Sequence, residues 1–219
     1  MTHPGLVALR HPASRASWLA LIAGLCDGLG WLQTGLFAAQ MTGNTALLGV
    51  ALAQGHWRGA AQKATAILCF LAGSLAARLL LRSEKEPGRG RVLVVLVASL
   101  VILVAAFLPK PVNVLVLGAA LGGQNAVFTR FGGQSINTSF VSGDLQKLAQ
   151  ALARRITRGA ALDDGDRIVL VTVPSLWSTY VAGAAVGVFC ARGLALPLLV
   201  PAAMLPLVLL LPKDRSQAG

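Results

Sequence analysis

Asp27 interrupts an otherwise apolar stretch that opens at Trp18, and a Thr42-Gly43-Asn44 element follows it. A carboxylate at bilayer depth costs roughly 2.5–3.5 kcal/mol while it stays charged and unpaired. A chain that keeps one there either uses it or pairs it. The chemistry open to it is proton or cation coupling; the structural alternative is an acid whose hydrogen bonds fix helix register. Later in the chain the pattern returns in altered form, as Gln124-Asn125 followed by Ser142-Gly143-Asp144. Asn125 stands where Asp27 stood, so the reading sets the two near each other as a pair in the midplane, with the amide serving the acid or a substrate group. Thr42, Gly43 and Asn44 could present free helix N-terminal amides to an anion, or form an ordinary turn. Gln124, Ser142, Gly143 and Asp144 join them as candidate substrate- or ion-binding residues. No Ser-His-Asp, HExxH or P-loop pattern occurs, so the sequence supports no covalent, zinc or nucleotide chemistry. It predicts no enzyme, no catalytic or metal-ligating residue and no cofactor.

The elements that would hold these residues are membrane helices. The chain is 55% apolar and 12% charged, where a soluble domain carries about 25% charge. Six runs, at 18–38, 60–81, 92–108, 112–128, 168–191 and 194–211, approach the ~20 residues that cross a hydrocarbon core. The segment after Thr42-Gly43-Asn44 is apolar but too short to span, and reads as a half-helix dipping back or an interfacial piece. Gly24, Gly28, Gly30 and Gly35 punctuate the first run, where small residues admit a neighbouring backbone. Pro197, Pro201 and Pro206 should kink the last run. Cys26, Cys69 and Cys190 lie within apolar runs without a CxxC pair, which excludes a disulfide framework or zinc ribbon.

Matched segments recur in one order. Gly122-Gly123-Gln124-Asn125 follows the place of Gly24-Leu25-Cys26-Asp27, and Tyr180-Val181-Ala182-Gly183 that of Phe70-Leu71-Ala72-Gly73. Leu108-Pro109-Lys110 and Leu211-Pro212-Lys213 close the two series. Such self-similarity points to an internal duplication. The predicted fold is an all-α integral membrane protein with six transmembrane helices arranged as two inverted three-helix repeats, a ground plan of secondary transporters. Residues 1–16 form a polar cytoplasmic lead, 17–110 the first repeat, 111–212 the second, and 213–219 a cytoplasmic tail.

The formal charge of +11 is explained by location. With the N-terminus inside, all but four of the 19 Lys and Arg residues fall on the cytoplasmic side; Arg58, Lys63, Lys110 and Arg192 are the exceptions. That split follows the positive-inside rule, so both termini are placed in the cytoplasm of a bacterial inner membrane. The partners it implies are the lipid bilayer and its anionic head groups. Nucleic acid is excluded for want of a basic-aromatic motif.

Between the fourth and fifth runs, Leu145, Leu148, Leu152 and Ile156 fall on one helical face with Lys147, Arg154, Arg155 and Arg158 off it. This basic amphipathic helix, at about 142–158 with Ser142 as its cap, suits the inner-leaflet interface or packing on the bundle. Asp163, Asp164 and Asp166 around Gly165 read as a solvated turn.

At Gly24-Leu25-Cys26-Asp27-Gly28, Met41-Thr42-Gly43-Asn44-Thr45 and Gln124-Asn125-Ala126, the chain resembles the YoaK-like family of bacterial multi-pass membrane proteins, a family whose domain has no known function. The resemblance runs from Trp18 to about Leu211. In its second half the family carries an Asn, basic residues, a Gly-rich turn and a Thr-Gly pair, which the resemblance places here at Asn125, Arg130, Gly132-Gly133 and Ser142-Gly143. Arg130 enters the candidate site on that basis. Ser142 replaces Thr, and one basic residue stands where the family often has two. The resemblance implies membrane class and topology, and it leaves activity open.

The leading functional reading is a small secondary transporter or permease for a small solute or ion, with a polar midplane site and room for a homo-oligomer. A non-transporting membrane scaffold is the alternative. An intramembrane lipid-acting enzyme ranks below both, since only Asp27 and amides could serve it.

Overall fold

Runs of Leu, Ala, Val and Gly with few turn-forming residues inside them fold as helices in the computed structural model of the chain, which describes residues 4–83, 87–128, 130–131, 134–135, 141–158 and 163–211. In chain order these are α1 (Pro4–Thr34), α2 (Met41–Ala53), α3 (Trp57–Ser83), α4 (Pro87–Ala105), α5 (Val112–Val127), α6 (Val141–Arg158), α7 (Asp164–Gly193) and α8 (Leu199–Met204). A 3-10 turn, Leu205–Leu210, continues α8. Between α5 and α6 lies a minimal antiparallel ribbon, β1 (Arg130–Phe131) and β2 (Gln134–Ser135), with Arg130 opposite Ser135. The helical class follows the sequence.

Among the described residues, α3, α4 and α7 are the three helices long and apolar enough to cross a membrane, and α2, α5 and the α8 segment are shorter apolar helices. The side chains of α3 and α4 explain the solvent they require. Leu68, Leu71, Leu75 and Leu79 on α3, and Leu96, Leu100 and Val104 on α4, all face outward. Continuous aliphatic surface of this extent is unstable against water and stable against lipid. Helix α1 is the opposite case: almost every residue from Ala16 to Gly30 is buried. It is covered chiefly by α7, with α5, the α8 segment and the 3-10 turn completing the cover. It also begins at Pro4, ahead of the apolar run at Trp18, so the polar lead continues the helix.

Two helix pairs make the frame. Helix α1 packs along α7, and α3 packs along α5. Both contacts are backbone to backbone at glycine. A methyl group on Gly24 would strike the Tyr180 carbonyl, and one on Gly28 the Ala184 carbonyl; Gly183 and Gly187 meet the Leu21 and Leu25 carbonyls in return. In the other pair, Gly122 faces the Phe70 carbonyl and Gly73 the Ala119 carbonyl. Small residues at these points let the helices approach closely enough for dispersion contacts to hold them in lipid. The pairs touch each other where α1 meets α5, while α4 lies on α5 and also contacts the α8 segment.

In the last segment the α-helix gives way to the 3-10 turn at Leu205, one residue before Pro206. Pro206 has no N–H for the Ala202 carbonyl, and the Ser99 hydroxyl of α4 donates to that carbonyl at 2.5 Å. Trp18 Nε1 donates to the Met204 carbonyl at 2.9 Å. Arg15 is buried and donates to the Leu211 carbonyl from Nε at 3.1 Å and from Nη2 at 2.6 Å. These bonds tie the middle of α1 to the end of α8 and to the residue that follows the 3-10 turn.

Candidate functional site

Asp27 sits in the buried middle of α1, with Gly24 and Gly28 on either side bringing α7 against it. That close approach carries the Tyr180 ring to the acid, and the Tyr180 hydroxyl donates to Asp27 Oδ2 at 2.5 Å. The other carboxylate oxygen faces the chain that leaves α1. Gly35, at φ 67°, turns that chain back. Ala39 N then donates to Asp27 Oδ1 at 2.6 Å, and Gln40 N reaches the same oxygen at 3.4 Å. Gln40 is the residue that caps α2. The acid therefore lies at the positive end of the short helix and satisfies amides that precede its first turn.

Asn44 holds the same loop from the other side. It is wholly buried; its Oδ1 accepts from Phe37 N at 3.0 Å, and its Nδ2 donates to the Phe37 carbonyl at 2.7 Å. The Phe37 ring stacks on Trp31, with centroids 4.9 Å apart. Gly43 lies beneath that ring, where a methyl group would press on Phe37 Cδ2 and Cε2. Thr42 is exposed. The Thr42-Gly43-Asn44 element is thus the first turn of α2 and not a break ahead of it. Its members have separate tasks, of which only that of Asn44 is a buried polar one. The group at the N-terminus of α2 is the chain's own Asp27 carboxyl.

The pairing expected between Asp27 and Asn125 is not among the bonds of the acid. The reason is the crossing of the pairs: α1 takes its long partner from α7, and α5 takes its own from α3. Asn125 is partly buried on α5 beside Gln124, which is fully buried with Oε1 unpartnered. In the place that Tyr180 holds against α1, the α3–α5 pair has Phe70, which has no hydroxyl. Arg130 lies in β1, and the ribbon it belongs to contacts α1 and α7. Ser142 is the second residue of α6, inside the helix it was expected to cap. Gly143 is exposed with open space around it, and Asp144 is buried and paired with Lys147 at 3.0 Å.

The candidate residues therefore fall into two groups. Asp27 and Asn44 share one loop, and Gln124 and Asn125 stand on the other helix pair. Tyr180 is the functional neighbour that sequence reasoning used only as a repeat marker. Its signal was available: it is the single tyrosine of the chain, placed in a spanning helix, where a buried phenol needs a partner. The solvated turn expected at Asp163, Asp164 and Asp166 is corrected in part: Asp163 and Asp164 are exposed, and Asp166 is not. Asp163 caps α7 by accepting from Asp166 N at 2.6 Å, and Asp166 is buried under Arg154. No cluster of His, Cys, Asp or Glu among the described residues could hold a metal ion.

A family model described as "Protein of unknown function (DUF1275)" matches residues 16–211. The chain is 27% identical over 150 residues to the UPF0700 transmembrane protein YoaK of Bacillus subtilis (strain 168), covering 64% of this chain and 67% of that protein. No solved structure matches.

Proposed function

This chain belongs to the DUF1275 family, and we propose that it is a small secondary transporter or permease of the bacterial inner membrane. Three features support this reading. First, the contacts of the two pairs correspond residue by residue: Gly24 meets Tyr180 and Ala184 as Gly122 meets Phe70 and Ser74, and Gly183 meets Leu21 as Gly73 meets Ala119. This favours two copies of one three-helix unit, each giving one helix to each pair, with six crossings and the second copy inverted. Second, the pairs meet chiefly through α1 and α5, an arrangement suited to rocking one pair against the other. Third, a short helix begins at a buried carboxylate, as in discontinuous-helix sites near a bilayer midplane.

The observation that carries the proposal is the Asp27 clamp. Three donors converge on this carboxylate, from α7, Ala39 and Gln40. Such a set fits the ionised form. A proton arriving on Oδ2 reverses the bond to Tyr180, whose hydroxyl oxygen then accepts, and one arriving on Oδ1 competes with the Ala39 and Gln40 amides for that oxygen. Protonation and helix position are linked through that exchange. In this reading the solute passes between the pairs, with Gln124 and Asn125 of α5 as the candidate amides. No catalytic role is assigned to any residue.

The test is reconstitution into liposomes holding a pH-sensitive dye, with a pH gradient imposed and a panel of small ions, sugars and amino acids added in turn. A member of the panel that speeds collapse of the gradient through the protein, and not through its Asp27→Asn variant, supports coupled transport. Folded protein that moves neither protons nor any member of the panel would sink it in favour of a scaffold.

A further inference from the structure

Helix α6 has two working faces. One is spent on α7: Ala151 and Leu148 pack with Val169 and Val173, and Arg154 grips Asp166 from Nε at 2.7 Å and Nη2 at 2.5 Å. The other lies about a third of a turn away. Leu145, Leu152 and Ile156 fall within about 40° of one another at 3.6 residues per turn. They are 42%, 43% and 83% exposed.

What covers this stripe follows from its position and its charge. Helix α7 turns apolar just after the Arg154–Asp166 grip and is long enough to span a membrane. The grip therefore holds α6 where α7 enters the bilayer. Arg155 is exposed beside the stripe, and the one acid of the helix, Asp144, is buried and paired with Lys147. We infer that α6 lies in the interface of the anionic leaflet, with Leu145, Leu152 and Ile156 among the acyl chains and Arg155 at the head groups. Since Lys147 and Arg154 already face carboxylates of the chain, the apolar stripe supplies most of the adhesion and the remaining charge selects the leaflet. This holds whether or not the chain transports a solute.

The full-length protein with Cys26, Cys69 and Cys190 replaced by Ala, and with Ile156→Cys or Gln150→Cys, can be spin-labelled and reconstituted in phosphatidylcholine with and without phosphatidylglycerol. Power saturation should show the label at 156 several-fold more accessible to oxygen than to a water-soluble nickel chelate, and the reverse at 150 on the opposite face. Adding phosphatidylglycerol should raise the preference at 156 about twofold. Asp166→Asn should free the label and reduce its immersion, and Arg154→Asp combined with Asp166→Arg should restore both. A water-exposed label at 156 in anionic bilayers would overturn the inference. So would spin–spin broadening at 156, which would mean that a second copy covers the stripe. Equal immersion in the two bilayers would overturn the selection of the leaflet.

Discussion

The hydroxyl of Tyr180 donates to Asp27 Oδ2 across 2.5 Å and so joins the last long helix of the chain to the first. The matching position of the other helix pair has Phe70 in place of tyrosine and Asn125 in place of the acid. The polar clamp is therefore built once, on a glycine-lined contact that is built twice. A structural scaffold would gain as much from two phenylalanines, because glycine packing already supplies the helix contact. The α1–α7 contact thus differs from the α3–α5 contact by a buried acid and its phenol donor.

Tyr180→Phe tests this division of labour. The ring remains, so the α1–α7 contact through Gly24, Gly28, Gly183 and Gly187 should persist. The lost donor to a buried carboxylate should lower stability by about 1–3 kcal/mol. Thermal unfolding in detergent should show that loss, and Phe70→Tyr, which adds a phenol without an acid to receive it, should give no gain.

The glycine contacts predict a sharper contrast. Gly122→Ala would press a methyl group into the Phe70 carbonyl, a backbone atom that cannot rotate away. Overpacking of this kind costs about 1–3 kcal/mol. Gly49 in α2 has open space around it, and Gly49→Ala should raise stability by roughly 0.5–1 kcal/mol through the backbone entropy that glycine loses in a helix. Equal effects of the two substitutions on the unfolding midpoint would contradict the packing described.

The helices were legible because apolar runs and their punctuation are local properties. Gly24 and Gly28 announced close helix contact, and Pro206 announced a disturbed last segment. Their partners were not legible, since nothing local in Gly24 says that its neighbour is Tyr180 and not a residue of α5. Asp27 has partners other than Asn125 for that reason: matching positions in a recurring sequence pattern imply equivalent surroundings, not mutual contact. The Thr42-Gly43-Asn44 element was recognised as important, yet its tasks were not separable without knowing that Phe37 folds back over Gly43 and Asn44. Arg15 read as one more basic residue of the lead, and nothing local announces its bonds to the distant Leu211 carbonyl.

Within that element the residues should differ in cost. Asn44→Ala strips both Phe37 backbone groups of a partner in a buried place and should lower stability by about 1–3 kcal/mol. It should also loosen the Phe37 ring from Trp31, which would appear as a change in tryptophan emission. Thr42→Ala, at an exposed position, should leave both signals where they are. A Thr42 effect larger than that of Asn44 would restore the reading of the element as an exposed anion site.

Orientation can be read by accessibility. Single cysteines near Arg89 and Arg155, in a background without Cys26, Cys69 and Cys190, should react with a membrane-impermeant reagent only in inside-out vesicles. A cysteine at His56, which is exposed between α2 and α3, should react in right-side-out vesicles. Labelling of His56 from the cytoplasm would overturn the charge-based topology and the inversion of the second repeat together.

Asp27→Asn is the substitution on which the proposed function rests. The amide keeps the shape of the side chain and can still accept from Ala39 N and Tyr180, but it cannot take up or release a proton. Its NH2 group also turns a donor toward one of the groups that now donate to the carboxylate, so a modest loss of stability is expected, less than for Asp27→Leu, which removes every acceptor. If Asp27 couples proton movement to rearrangement of the loop, the Asn variant should fold and insert yet lose pH-driven flux in liposomes. Tyr180→Phe should retain flux at a changed rate, because the titrating group is intact while its restraint is weaker. If Asp27 only fixes helix register, the ranking follows stability alone: Asn would approach the parent in flux, and Leu would fail through misfolding. Folded Asp27→Asn protein with parental flux would therefore reduce the acid to a cap for α2 and leave the coupling mechanism without its titrating group.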